Sequence, residues 1–525
     1  MGNNKPYILA VDLGTSGAKV ALISAHGQAL GWESQEVSLY LTPDGGAEQN
    51  PEEWWQAIVN ASRRLLNRKL VPANEIAAVC CSTQGEGTVP VSREGKALMN
   101  CILWMDMRGE PYLRRNVRGL VNFSGFDVFK LIRWIRLTGG LPSMTGKDPS
   151  AHMLFIKEKY PHIYERTYKF LNVLDYINLR LCGRYAATAD SILTSWVTDN
   201  RDPDHVHYDD RLIQYSAIDA DKFPEVVPCT AVLGTLTKEA AEALNLSTSV
   251  QVVAGSIDNT AASIGSGAVD YYIPHLYIGT SSWIATHVPY KKTDFISYLA
   301  STPCAVPGRF LMTALQATAG GNLTFLKEKI LYHKDELLLE EQVPDVYKIM
   351  DHIAERVPAG SHGVIYTPWI WGERAPVDDR RLRAGLYNIS LNNNREDIIR
   401  AFLEGVAFNT RWLVGPVEKF IGRRLEVINL AGGGGNSNIW CQIFADVLNV
   451  PVRQVKDPIQ ANARGAALIA AVGLGEIKFD DVPQLVEINR TYSPNSQNRA
   501  LYDDLYNEFV SIYRQMHGIY QRLNS

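Results

Sequence analysis

Pro6-Tyr7-Ile8-Leu9-Ala10-Val11-Asp12-Leu13-Gly14-Thr15-Ser16-Gly17-Ala18-Lys19-Val20 is an apolar run that ends on an acid, passes through a glycine-and-hydroxyl turn and starts a second apolar run. The order predicts a buried strand, a tight turn and a returning strand, Ala18 to Ser24. A tight turn can direct several backbone N–H groups at phosphate oxygens, and an acid at the strand end can hold a magnesium ion directly or through water. The segment therefore reads as a nucleotide-phosphate binder. The competing reading is a β-hairpin in which Gly14 and Gly17 only supply turn geometry.

The same theme returns about 265 residues further along, in Leu276-Tyr277-Ile278-Gly279-Thr280-Ser281-Ser282-Trp283-Ile284-Ala285. A glycine-hydroxyl hairpin in each half predicts two related domains facing a shared cleft; two unrelated hairpins are the alternative. A third cluster, Gly432-Gly433-Gly434-Gly435-Asn436-Ser437, follows the strand-like run Leu425–Leu430 and precedes an amphipathic helix, Ile439–Leu448. Bare main chain at a strand-to-helix turn lets a flat ring or a phosphate approach and exposes helix N-terminal donors, with Asn436 as the polar contact. A flexible loop without a ligand is the plainer reading.

Between the halves, Val252-Val253-Ala254-Gly255-Ser256-Ile257-Asp258-Asn259 runs from a strand into a small-residue helix. Asp258 suits a helix N-cap. It equally suits a general base that takes the proton from a substrate hydroxyl and frees it to attack a phosphoryl group. Two further polar sets follow predicted strands: Ser82-Thr83-Gln84-Gly85-Glu86-Gly87 and Trp104-Met105-Asp106-Met107-Arg108. Loops at strand ends carry ligands in α/β folds, and a carboxylate, an amide and a tryptophan face suit a polyhydroxylated molecule. For Asp106 and Arg108 the alternative is a local ion pair.

The chain has 525 residues, 46% of them hydrophobic, enough for two or three domains. Lys and Arg number 52 against 56 Asp and Glu, with no basic block, so a nucleic-acid partner has no electrostatic support. Seven scattered cysteines without Cys-x-x-Cys spacing fit a reducing compartment. No secretory leader precedes the first strand, Pro6 spoils a myristoylation pattern after Met1-Gly2, and no apolar run approaches the roughly 18 residues of a membrane span. A soluble cytoplasmic protein without a membrane partner is expected. There is no Walker lysine motif, no Gly-x-Gly-x-x-Gly in a βαβ unit and no Gly-x-Ser-x-Gly elbow, and His205-x-His207 reads as a surface pair.

Local patterns predict strands at Ile8–Val11, Val20–Ile23 and Ile76–Ser82 and a helix at Pro51–Leu70. Residues 110–250 are richer in helical pattern, including His152–Tyr160 and Asp175–Leu181, and read as an insertion or cap. The last helix, near Tyr502–Arg522, reads as packing only.

Assembled, these residues resemble the FGGY carbohydrate kinases, most nearly their xylulokinase-like pentulose kinases, over nearly the whole chain. Asp12-Leu13-Gly14-Thr15-Ser16-Gly17-Ala18-Lys19 is similar to the family's first phosphate loop and Ile278-Gly279-Thr280-Ser281 to its second. Ala431 to Ser437, with Trp440 and Gln442, resembles the adenosine loop, and Trp104-x-Asp106-x-Arg108 the sugar-side motif. Gly372-Glu373-Arg374-x-Pro376, Arg383-Ala384-Gly385-Leu386 and Arg400 to Arg411 resemble the C-terminal signature.

The resemblance implies an α/β, two-domain actin-like ATPase (ribonuclease H-like) fold of the sugar kinase type with a central cleft. Residues 1–258 would form a mainly sugar-binding domain with the helical insertion at about 110–250, and residues 259–525 a mainly ATP-binding domain ending in a helix. It further implies Asp258 as catalytic base and Asp12 as the magnesium-side acid, the two holding Mg2+ directly or through water. ATP contacts would come from Gly14, Thr15, Ser16, Lys19, Gly279, Thr280, Ser281, Gly320, Thr324, Gly432, Gly433, Gly434, Gly435 and Asn436. Substrate contacts would come from Gln84, Gly85, Glu86, Trp104, Asp106, Arg108, Asp258 and Asn259.

Two departures stand out. Typical xylulokinases have Gly-Gln-Met-His where this chain has Thr83-Gln84-Gly85-Glu86, and Glu86 accepts hydrogen bonds but cannot donate when ionised. Gln460 stands where the family often carries glutamate, with an expected effect on packing near the hinge. The implied activity is ATP- and Mg2+-dependent phosphorylation of a sugar or polyol hydroxyl, with D-xylulose as first candidate and another ketopentose or polyol as alternative. A catalytically degenerate sensor and a nucleotide-gated binding protein of the actin or chaperone kind are the rival classes. The partner is a small sugar or polyol, and a second copy of the chain is a further candidate.

Overall fold

The computed structural model describes residues 6–333 and 345–524. In the N-terminal half, strands β1 (Tyr7–Gly14), β2 (Gly17–Ser24) and β3 (Ala29–Glu36) lead through helix α1 (Pro51–Asn67) to β4 (Ile76–Thr83). After the insertion come β5 (Val232–Thr235), β6 (Gln251–Ile257) and helix α2 (Asp258–Gly265). The sheet order is β5-β6-β4-β1-β2-β3, antiparallel across β1, β2 and β3 and parallel across β1, β4 and β6.

The C-terminal half runs β7 (His275–Ile278), β8 (Ser282–Val288), β9 (Thr293–Asp294), β10 (Leu299–Pro303), β11 (Phe310–Gln316) and helix α3 (Gly320–Phe325). It continues through α4 (Arg395–Ile421), β12 (Ile428–Ala431), α5 (Asn438–Leu448), β13 (Val452–Val455), α6 (Ala461–Gly473), β14 (Ile488–Tyr492) and α7 (Arg499–Leu523). Its order is β9-β10-β11-β8-β7-β12-β13-β14. The run β11-β8-β7-β12-β13 repeats β3-β2-β1-β4-β6, with the same two antiparallel and two parallel pairings in the same order. The likeness of the two short hairpins therefore extends to whole sheets.

Strand β1 shows why the pattern works. Six consecutive residues, Ile8 to Leu13, are buried, as a strand covered on both faces requires. Leu9, Val11 and Leu13 pack with Trp54, Ile58 and Leu65 of α1, while Ile8 and Ala10 face Ala463, Ala466 and Ala470 of α6. Helix α1 starts on Asn50, whose side chain accepts from the Glu52 N–H, with a proline in its first turn. It ends at Asn67, three residues short of the expected Leu70.

Helix α6 comes from the far end of the chain yet fills the core beneath the first sheet. Its small residues allow this: a Cβ on Gly465 would lie 1.9 Å from the Ala261 carbonyl oxygen, and one on Gly265 would lie 1.8 Å from that of Ala461. Helices α2 and α6 thus touch backbone to backbone, and the expected boundary at 258/259 falls on the first residue of α2. Gln460 is buried at the entrance to α6, its side-chain amide without a protein hydrogen bond among the described residues.

The insertion has a core of its own, with Leu113, Trp134, Phe155, Tyr164 and Phe170 among its buried side chains. Its helices include Pro149–Lys159, which starts three residues before the expected His152–Tyr160 and ends one short of it, and Val173–Cys182, which brackets the expected Asp175–Leu181. Among the described residues no helix is long and apolar enough to cross a membrane.

Candidate active site

Parallel pairing brings three strand ends together. Asp12 lies opposite Ser82 and Leu13 opposite Thr83, while Ser256 lies opposite Ser82 and Ile257 opposite Thr83. Asp12, the Gln84–Glu86 turn and Asp258 therefore leave the carboxyl ends of β1, β4 and β6 side by side, where open α/β sheets bind ligands. In the other sheet Tyr277 pairs with Ala431, which sets Gly279-Thr280 beside the Gly432–Gly435 cluster.

The first hairpin turns at Thr15-Ser16, with Gly14 opposite Gly17. Gly17 is required by packing, since a Cβ there would meet the Gln35 carbonyl oxygen at 2.4 Å. A Cβ on Gly14 would meet nothing nearer than the Gly17 carbonyl oxygen at 3.9 Å. In the second hairpin the Gly279 N–H donates to the Ser281 carbonyl at 2.9 Å. Ala319 N–H and Gly320 N–H donate to the Thr280 and Gly279 carbonyls, both at 2.8 Å, so the Gly320 turn is built onto the hairpin. Thr324 instead shares a hydrogen bond with the Tyr347 hydroxyl at 3.2 Å.

The four glycines divide by cause. Gly432 has a φ of +84°, and a Cβ on it or on Gly434 would collide with Ile278 at 2.6 and 2.4 Å. One on Gly435 would press on Pro458 at 2.8 Å, whereas Gly433 faces open space and is exposed with Asn436. Two of the four are thus needed for the loop to lie on β7, and a third for it to pass Pro458.

Asp12 is buried, with Lys19 Nζ 2.7 Å from one carboxylate oxygen and Asn462 Nδ2 donating to the other at 3.3 Å. Burial works against the Lys19 ammonium, but Asp12, helped by Tyr277, outweighs it and raises the Lys19 pKa. Asp258 is the first residue of α2 but not its cap, which is Ile257. Its carboxylate accepts the neighbouring Asn259 N–H at 2.7 Å. Burial pushes its pKa up to about 7, and the negative charge of Asp12 adds to this; Asn259 opposes, and Glu86 and Asp190 contribute further in the upward direction. Asn259 directs its own Oδ1 to the Thr260 N–H at 2.7 Å.

The expected substrate residues fall into two groups. Gln84 accepts from the Thr15 hydroxyl at 2.7 Å and donates to Gln49 at 2.9 Å, and Trp104 Nε1 donates to Thr15 Oγ1 at 3.2 Å. These two brace the first hairpin. Asp106 is fully buried and accepts from Ala47 N–H at 2.9 Å and from Arg108 Nη2 at 2.7 Å, while the same guanidinium reaches Glu48 at 2.6 Å. Asp106 and Arg108 therefore form an internal ion pair.

Gly85 and Glu86 stand with Asp258, since a Cβ on Gly85 would contact Ile257 at 3.8 Å. Glu86 adopts a left-handed backbone, φ +62°. Burial raises its pKa, and Arg374 and Lys147 pull it back.

Several residues here carried no motif that sequence could isolate. Lys147 is pushed down to about 8 by burial and then by Arg380 and Arg374. Asp148 is pushed up to about 7 by burial and then by Glu86, and Trp196 Nε1 donates to it at 2.7 Å. Asp190 accepts the Ile257 N–H at 3.1 Å, fixing the strand end that carries Asp258.

Among the described residues no group of three or more His, Cys, Asp or Glu is placed to hold a metal ion. Magnesium needs no such cage: it keeps several waters and uses one or two carboxylates plus phosphate oxygens. Asp12 and Asp258, close enough for one charge to raise the other's pKa, fit that requirement.

Residues 7–265 match the description "FGGY family of carbohydrate kinases, N-terminal domain" and residues 276–474 its C-terminal counterpart. The xylulose kinase of Bacillus subtilis is 27% identical over 534 residues, spanning 99% of both chains. The gluconokinase of the same organism is 25% identical over 527 residues, spanning 98% of this chain and 97% of its own. Among solved structures, ligand-bound xylulose kinase from Lactobacillus acidophilus superposes with a TM-score of 0.82 at 23% identity, covering 98% of this chain and 99% of that one.

Proposed function

The chain belongs to the FGGY family of carbohydrate kinases and is a sugar kinase, and we propose that it transfers the γ-phosphoryl group of ATP to a hydroxyl of a ketopentose, D-xylulose first, with Asp258 as general base. One observation carries the base assignment: a withdrawn carboxylate at the end of β6, beside Asp12, with a pKa raised to about 7. A base poised near working pH combines a usable ionised fraction with real proton affinity.

Asp258 accepts the acceptor hydroxyl's proton as the oxygen bonds to the γ-phosphorus, and the bond to the β-phosphate bridging oxygen breaks to release ADP. The Thr15-Ser16 turn and Thr280 offer N–H groups to the phosphates, and Gly433 with Asn436 borders the space for the adenosine. Asp12 and Asp258 would be the residues to hold magnesium, directly or through water, and when bound the ion would supply positive charge against the phosphates. Glu86 and Asn259 are the groups left to receive acceptor hydroxyls. A second acceptor class, an aldonate, is favoured by the cations near Glu86: Lys147, Arg374 and Arg380.

A coupled ADP-release screen over D-xylulose, xylitol, D-gluconate and glycerol tests this reading. ADP release strictly dependent on one acceptor is expected, with loss of at least a thousandfold in kcat and near-normal ATP affinity in Asp258→Ala. Turnover at full rate in that variant would refute the base.

A further inference from the structure

The segment Gly372–Arg383 leaves the C-terminal half and crosses to the N-terminal one. Arg380 Nη1 donates to Met107 Sδ at 3.3 Å, within the Trp104–Arg108 motif. Arg374 acts electrostatically on Glu86 and Asp148, and Arg380 with Arg374 acts on Lys147. Both arginines are exposed at the rim of the gap between the halves.

The loop is pinned at its base. Glu373 and Asp379 exchange backbone hydrogen bonds at 2.9 and 3.0 Å, closing the turn that presents Arg374. The buried Glu373 carboxylate accepts the Ala317 N–H at 2.7 Å and Asn409 Nδ2 at 2.5 Å. Asp379 Oδ1 accepts the Arg381 N–H at 2.9 Å.

The remaining anchor is helix α7, expected from sequence to be packing alone. His517 Nε2 lies 3.2 Å from Asp379 Oδ2, and Gln521 Nε2 donates to the same oxygen at 3.3 Å. Asn524 Nδ2 donates to the Arg381 carbonyl at 2.9 Å. His517 and Gln521 on the last turns of α7, with Asn524 just after it, thus close on the stretch between Asp379 and Arg381, which follows Arg374 in the loop and leads into the buried Leu382. The helix packs through the buried Tyr502, Phe509 and Tyr520, with Leu505, Tyr513 and Met516 against the same core, and these apolar contacts make no use of the polar groups of His517, Gln521 or Asn524.

We propose that the 372–383 loop forms the second wall of the acceptor pocket, and that His517, Gln521 and Asn524 are positioning residues that set how far Arg374 and Arg380 reach across the gap. This rests on the placement of the acceptor beside Glu86 given above. The half that carries the nucleotide loops then also contributes to acceptor recognition, through a strut made by the last helix.

The test is steady-state kinetics on the full chain, using the member of the acceptor panel with the lowest half-saturation. Arg374→Ala is expected to raise KM for the acceptor about tenfold or more while KM for ATP stays within about twofold. The double variant His517→Ala with Gln521→Ala should raise acceptor KM about three- to tenfold, the loss of two partly exposed hydrogen bonds, with kcat and KM for ATP nearly unmoved. An unchanged acceptor KM in Arg374→Ala, where no buried contact is lost, overturns the wall. A double variant that changes no parameter, or moves both KM values and kcat together, overturns the strut. Wild-type protein that releases ADP with none of the acceptors would instead refute the acceptor placement itself.

Discussion

Replacing Asp258 by Asn should stabilise the protein at pH 8 while abolishing transfer. The carboxyl pKa rises from an ordinary 3.8 to about 7 on folding, chiefly by burial and then by Asp12. Folding therefore favours the protonated form. Between pH 3.8 and about 7 the native state binds more protons than the unfolded one, so stability falls as pH rises through that window and is level above it. At roughly 1.4 kcal/mol per pH unit the full effect approaches about 4 kcal/mol, and relaxation around a functional carboxylate brings the expected gain to about 2 kcal/mol. The neutral, isosteric amide escapes this penalty. For a chain this long that corresponds to about 2 °C in Tm. Thermal unfolding of both proteins at pH 4, 6 and 8 checks it: the variant's advantage should be near zero at pH 4 and grow to pH 8. An advantage equal at all three pH values, or a variant less stable at pH 8, would show that Asp258 is not held above its ordinary range.

Two further perturbations follow from contacts around the same site. Lys19→Met leaves Asp12 buried beside no ammonium and should cost about 3 kcal/mol, with part of the loss regained when Asp12→Asn is added, as urea denaturation of the single and double variants would show. Gly465→Ala forces a Cβ to within 1.9 Å of the Ala261 carbonyl oxygen and should push α2 and α6 apart, lowering stability by about 2 kcal/mol or more and cutting kcat through the displaced Asp258. Unchanged Tm and kcat in Gly465→Ala would mean the two helices have slack that their spacing does not suggest.

Both hairpins were legible because their signals are local: a continuous apolar run, a short turn and a return. The six buried residues of β1 and the pairing of Gly14 with Gly17 are what such a pattern describes. The position of Asp258 after a strand was legible too, though the cap it resembled belongs to Ile257. Long-range placement was not legible. Nothing in Ala461–Gly473 announces that it fills the core beneath β1, more than 440 residues earlier, since small residues at helical spacing record close approach without naming the partner. Lys147 and Asp148 belong to no motif and acquire their shifted pKa values only when the fold buries them and, second to that, sets Arg380 and Arg374 near the one and Glu86 near the other.

The hydrogen bonds around Thr15 constrain which residues are free to read an acceptor. Gln84 uses its carbonyl oxygen on the Thr15 hydroxyl and its amide on Gln49, which returns a bond to the Thr15 carbonyl at 2.7 Å. Trp104 directs its only donor to Thr15. Asp106 points both oxygens at protein donors, and Arg108 is drawn onto Asp106 and Glu48. A sugar bound here would have to break such bonds to use those polar groups, at about 1 kcal/mol or more apiece. Among the described residues Glu86 has no hydrogen-bond partner to give up, and Asp258 holds only the neighbouring Asn259 N–H. On the proposed placement of the acceptor, discrimination falls to Glu86, which stands where the family's sugar loop is expected to carry an imidazole, with Lys147 and Arg374 acting on its charge, while Gln84 and Trp104 brace the first hairpin beside it.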